Sequence, residues 1–146
     1  MVDPAVVASR IDRLRGYLSK LRILAKLSLQ EFISDFKNVE SSKHLLQVSV
    51  ECCLDLAHHI VADGSFRTPS DYYDTFLVLS EEAIIPTSFL PTLRQMVSFR
   101  NRVVHLYWEV DNTMVYQILQ ENLGDFDTYL RYILDYTQNV DLSADT

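Results

Sequence analysis

Cysteine, glycine and proline are all scarce in this 146-residue chain, which has two, three and four of them respectively. So few turn-forming residues leave little room for the many short connections of a sandwich or barrel, and long periodic apolar stretches point instead to helices. The cysteines, Cys52 and Cys53, are neighbours on an expected helix, where a mutual bridge is sterically poor. They read as small core residues in a reducing compartment. No apolar run reaches the roughly 18 residues that a spanning helix needs. The opening Met-Val-Asp-Pro lacks the charged and apolar regions of a signal peptide. A cytoplasmic protein without a membrane partner is expected.

Basic residues are also in the minority, 13 Lys and Arg against 20 Asp and Glu, for a net charge of −7. That total argues against a broad nucleic-acid footprint. The distribution qualifies it. Residues 1–26 carry six bases and two acids, and residues 87–108 carry three arginines and no acid. Residues 27–86 have three bases against ten acids, and 109–146 have one against eight. A local anionic site fits this pattern better than a wide basic surface.

What the chain does have is apolar periodicity, and its 48% hydrophobic content is enough for one core. A first helix is expected over 4–26, where Val7, Ile11, Leu14, Leu18, Leu21 and Ala25 repeat at heptad-like spacing. A short helical segment near 28–37 should precede a break at Asn38-Val-Glu-Ser-Ser. A helix capped by Ser41 or Ser42 should then cover 43–62. A Gly- and Pro-punctuated loop, 63–70, leads to a helix over 71–83 and then to another from Thr87 to Leu106 or slightly beyond, with core contacts from Leu90, Leu93, Val97, Val104 and Trp108. One long helix, 113–138, bent at Gly124, should close the fold. The expected fold is all-α: an up-and-down bundle of four long helices plus short ones, a single domain over 1–139, with a flexible tail at 140–146.

The chemistry concentrates in Ser98-Phe-Arg-Asn-Arg-Val-Val-His-Leu-Tyr-Trp-Glu109. Arginine offers a planar fork of donors suited to phosphate, and histidine exchanges protons near neutrality. With Arg100 at zero on a helical wheel, Asn101 falls near roughly 100°, His105 near 140° and Tyr107 near −20°. These four share an arc of about 160° if the helix runs unbroken through Tyr107. Arg102, at about 200°, falls on the far side, which makes it the surface or partner arginine and Arg100 the site arginine. On the helix before the loop, Glu51, Asp55 and His58 lie together. Asp55-x-x-His58 superficially resembles half of a di-iron motif, but the second copy and further Glu are missing, so neither metal nor cofactor is expected.

Arg100-x4-His105-x-Tyr107, with Asn101 directly after the arginine, resembles the R-x4-6-H signature of the HEPN superfamily (higher eukaryotes and prokaryotes nucleotide-binding). The added tyrosine is similar to its HepT branch, the toxin halves of toxin–antitoxin pairs. The resemblance implies a metal-independent endoribonuclease that leaves a 2′,3′-cyclic phosphate. Arg100, His105 and Asn101 would then be catalytic, with Glu51 and Arg102 supporting them. It also implies a two-fold homodimer in which two motifs meet, an assembly suggested as well by the apolar seams of the first and last helices. An RNA substrate and a minimal nucleotidyltransferase antitoxin of the MntA type are the implied partners, with Tyr107 as the acceptor of AMP. The alternative is a catalytically idle binding or acceptor subunit of that nucleotidyltransferase.

Overall fold

The computed structural model describes residues 3–144, and among these all regular structure is helical. Helix α1 (Pro4–Ala25) starts where Asp3 accepts a hydrogen bond from the Ala5 N–H and Pro4 supplies a preset first turn. Val7, Ile11, Leu14, Leu18 and Leu21 of its seam are all buried. They pack chiefly against α3, so the seam is consumed inside the chain rather than left for a second copy. Helix α2 (Leu29–Ser34) is fixed by a reciprocal capping box between Ser28 and Glu31.

Helix α3 (Phe36–Asp63) is the axis of the bundle, touching α1, α2, α4, α5 and α6. It begins well before residue 43, and the expected break at 38–42 lies inside it. Asp35 caps the helix instead, accepting from the Lys37 N–H, while Val39 is buried against the core. Ser42 turns its hydroxyl back to the Asn38 carbonyl at 2.7 Å, so it sits in the helix without a cap role. An 18-residue window of α3 reaches a mean hydropathy of 1.3, and 56% of it is buried, as suits a central core helix. Cys52 and Cys53 are both free and buried here, and burial raises both thiol pKa values.

Helix α4 (Tyr72–Glu81) is capped by Asp71. After a 3-10 turn (Thr87–Phe89) comes α5 (Leu90–His105), which stops short of the expected end. The backbone leaves the helical region at Leu106 (φ −135°, ψ 47°), and a 3-10 turn (Tyr107–Glu109) brings Val110 into the core. Val104 and Trp108, expected as core contacts, are 40% and 78% exposed. The expected last helix is two: α6 (Asn112–Glu121) and α7 (Leu123–Ala144). The break falls at Asn122 (φ −118°, ψ −3°) rather than at Gly124. Asn122 donates from its side chain to Asp125, and its carbonyl accepts the Asp125 N–H, local bonds that compete with helical ones. The expected tail at 140–146 is helical as far as Ala144, and its last two residues lie outside the described ones.

The four long helices of the up-and-down bundle are therefore α1, α3, α5 and α7. Tyr129 of α7 anchors the centre: fully buried, it donates its hydroxyl to the Cys53 carbonyl at 2.7 Å and meets Phe76 of α4 edge-on at 5.8 Å.

Candidate active site

Helix α5 presents the motif, and its register sorts the residues onto two faces. Arg100 turns towards α3, where Nε donates to Glu51 Oε1 at 3.2 Å and Nη1 donates to Asn101 Oδ1 at 3.2 Å. Its side chain keeps only 16% exposure, and the guanidinium carbon lies 5.3 Å from the Tyr72 ring centre. Glu51 is held in turn by Gln47, whose amide donates to Oε1 at 3.0 Å. A carboxylate, an amide and an aromatic face thus fix the arginine's plane, and Nη2 has no protein partner among the described residues.

The other face opens as a groove of about 520 Å³, lined by Arg94, Ser98, Asn101, Arg102 and His105 of α5, with Asp71 and Tyr73 opposite. The wheel explains the grouping: Arg94 and Ser98 fall near roughly 120° and 160°, between Asn101 and Arg102 and around His105. Arg102 does lie on the side away from Arg100, and that side is where the groove opens. It is exposed one turn from His105, at i,i+3, and lines the groove that Arg100 does not line. Asn101 belongs to both faces, because it bonds Arg100 and also lines the groove. Arg94 stacks its guanidinium 4.7 Å from the Tyr73 ring centre. Neither Arg94 nor Arg102 has a carboxylate within salt-bridge distance among the described residues, so both cations are available to an anion. Asp71 is the groove's acid, and its Oδ1 is engaged in capping α4.

Tyr107 sits differently from the expectation of a shared face with Arg100. Because α5 ends at His105, the i,i+7 relation fails, and the ring instead covers Lys43 of α3, with Nζ 4.3 Å from its centre. Lys43 is buried and Tyr107 is 37% exposed. Around it Val104, Leu106 and Trp108 are exposed too, an apolar patch on the shoulder of the His105 groove. Asp55 and His58 form no metal-binding group, and among the described residues no three or more His, Cys, Asp or Glu come together as one.

Sequence reasoning missed Arg94, Ser98, Lys43 and the Tyr72–Tyr73 pair. Arg94 and Ser98 had a signal, since positions 94, 98 and 102 repeat at i,i+4 on the motif helix. Lys43 had none, because its partner comes from a distant turn.

Residues 11–133 match the model of the Ribonuclease HepT-like family. The chain belongs to that family. Among curated relatives, the tRNA nuclease HepT of Aphanizomenon flos-aquae is 23% identical over 135 residues, covering 92% of each chain. The mRNA nuclease HepT of Shewanella oneidensis is 31% identical over 103 residues, 70% of this chain and 77% of that one. A solved structure of the tri-AMPylated Shewanella oneidensis HEPN toxin in complex with MNT antitoxin superposes with a TM-score of 0.82. It is 25% identical and covers 89% of this chain and 97% of that chain.

Proposed function

We propose that this protein is the ribonuclease toxin of a toxin–antitoxin pair, a metal-independent endoribonuclease that works as a two-fold homodimer in the cytoplasm. The observation that carries the reading is the groove in which His105 and Asn101 open beside Arg94 and Arg102, two arginines with no ion pair among the described residues. His105 moves protons, a role that typically contributes about 10² to 10⁴-fold in rate. The ribose 2′-oxygen attacks phosphorus and gives its proton to one imidazole. The 5′-oxygen leaves and takes a proton from a second imidazole, and a 2′,3′-cyclic phosphate remains.

One chain brings a single histidine to this groove, so the second must come from another copy. The exposed Val104, Leu106 and Trp108 support such pairing next to the groove, where burial would join two motifs and their arginines. Arg100 does not line the groove of its own chain. In this assembly, held by Glu51 and Asn101, it would offer Nη2, which has no protein partner among the described residues, to a phosphate bound where the second copy closes on α5. Arg102 adds a second charge against the one developing on the oxygens. Tyr107 is the proposed acceptor of AMP from an MntA-like nucleotidyltransferase. Its exposed phenol on the groove's shoulder supports this, since an added phosphodiester would repel and occlude RNA.

The test is cleavage of RNA by the purified chain in the presence of EDTA. His105→Ala should abolish cleavage with the circular dichroism spectrum unchanged, while wild type works on in chelator. Cleavage that needs an added divalent ion, or that survives His105→Ala, overturns this mechanism. A chain that cuts no RNA yet still gains AMP would be the nucleotidyltransferase's acceptor subunit instead.

A further inference from the structure

Arg94, Ser98 and Arg102 form a ridge along α5, spaced at i, i+4 and i+8, and they line two cavities at once. One is the His105 groove. The other, of about 390 Å³, lies on the far flank of the ridge, between α5, α3 and the α6–α7 corner. Phe99, Met114 and Ile118 give it apolar walls, each only half-buried and so with surface left to cover.

Its polar groups come from the helix break. The apolar repeat Leu119, Leu123, Phe126 runs straight through Asn122, so core packing does not require α6 to end there. The break brings the Asn122 amide and the Asp125 carboxylate to the cavity wall. Asn122 Nδ2 donates to Asp125 Oδ2 at 3.2 Å, which leaves Asn122 Oδ1 and Asp125 Oδ1 as two acceptors. Asp125 has no cationic partner among the described residues. An apolar cavity, two hydrogen-bond acceptors and a ridge of guanidinium groups beside it are the parts of a nucleotide site.

We propose that this cavity seats a nucleobase of the substrate RNA, guanine in preference to uracil, with the adjoining phosphate across the Arg94–Arg102 ridge. The inference rests on the ribonuclease reading above. Guanine carries adjacent N1–H and N2–H donors that match the two acceptors, whereas uracil presents carbonyl oxygens on either side of a single N–H. Because unstacked bases in single-stranded RNA are read by stacking and by their Watson–Crick edge, the selection acts on single strands.

Two arms test it. In the first, A-rich single-stranded RNAs that carry one guanosine or one uridine are cut by wild type, Asp125→Asn and Ile118→Trp. Wild type should favour the guanosine RNA by about tenfold in kcat/KM, the scale of one charge-assisted hydrogen bond. Each variant should bring the ratio to within about twofold of unity, by removing the acceptor charge or by filling the cavity. A wild type without preference, or an unchanged ratio in both folded variants, overturns the proposal. The second arm needs no catalysis and no variant: 5′-GMP should shift the methyl resonances of Met114 and Ile118 in the full chain, and 5′-UMP should shift them less. If no RNA is cut, the ribonuclease reading fails and this arm alone decides the cavity. Methyl shifts that follow protein concentration, and not GMP, would mean that a second copy of the chain fills it, which also overturns the proposal.

Discussion

Glu51 and Arg100 face each other across the α3–α5 interface, with Oε1 accepting from Nε at 3.2 Å and Gln47 holding the same oxygen from behind. The pair joins the motif helix to the core helix at the motif's first residue. Glu51→Gln keeps the shape and removes the charge that orients the guanidinium. Misplacing a charge-stabilising group can cost up to about 100-fold in rate. Glu51→Gln should therefore lower kcat while KM moves less, with the thermal midpoint near that of wild type. A wild-type kcat in this variant would make Glu51 an ordinary surface acid.

Assembly is predicted from the patch around Trp108, which is 78% exposed. Wild type should sediment as a dimer, near twice 16.9 kDa. Trp108→Asp should give a folded monomer with little or no cleavage, and its effect should be far greater than that of Ile23→Asp on the exposed side of α1. Equal dimer content in the Trp108 variant and wild type would move the interface elsewhere.

Modification is predicted at Tyr107. After coexpression with a minimal nucleotidyltransferase, intact-mass spectrometry should show AMP additions on wild type and none on Tyr107→Phe, which keeps its ribonuclease activity. Additions that persist in the variant point to another acceptor.

Acid sensitivity should centre on the loop before α4. Arg67 binds Asp74 and Glu81 through hydrogen bonds of 2.8–2.9 Å. These bonds, joined at Asp74 by the Ser70 N–H, hold both carboxyl pKa values below their usual range, Asp74's far below. In the unfolded chain the same groups protonate near about pH 4. The stabilisation is therefore whole above that pH and is lost as the pH falls towards the depressed folded values. The gap in thermal midpoint between wild type and Arg67→Met should stay level from about pH 8 to 5 and close below about pH 4. A gap that widens on acidification would contradict this.

The buried centre gives a stability prediction. Tyr129→Phe removes one hydroxyl bond to the Cys53 carbonyl and should cost about 0.5–1.5 kcal/mol in urea unfolding. Tyr129→Ala also opens a cavity beside Phe76, and its cost should rise to about 3–5 kcal/mol.

Where one segment's own periodicity decides, the sequence is readable: α1 runs as its Val7–Leu21 seam implies, and the all-α bundle follows from such seams. Where a competing local bond decides, it is not. Asp35 outcompetes Ser42 as a cap, and Asn122 stops a helix whose apolar repeat continues past it. The site follows the same division. Asn101 and His105 share a face, as i,i+4 spacing requires, because both lie within α5. Tyr107 lies beyond a turn, so helical spacing no longer governs it. Arg102 is exposed on the side away from Arg100, as its place about 200° round the helix implies, and it joins the site because the open groove centres near His105.

Helix α3 carries both Lys43, beneath the Tyr107 ring, and Glu51, the anchor of Arg100. Eight residues separate them on one unbroken helix, a rise of about 12 Å that works as a fixed ruler. A nucleotide joined to Tyr107, as proposed, would thus be a tethered arm on a rigid post, and it would silence the site only as far as it reaches. The number of nucleotides in the arm, more than any change in the fold, would then set how completely the enzyme is switched off.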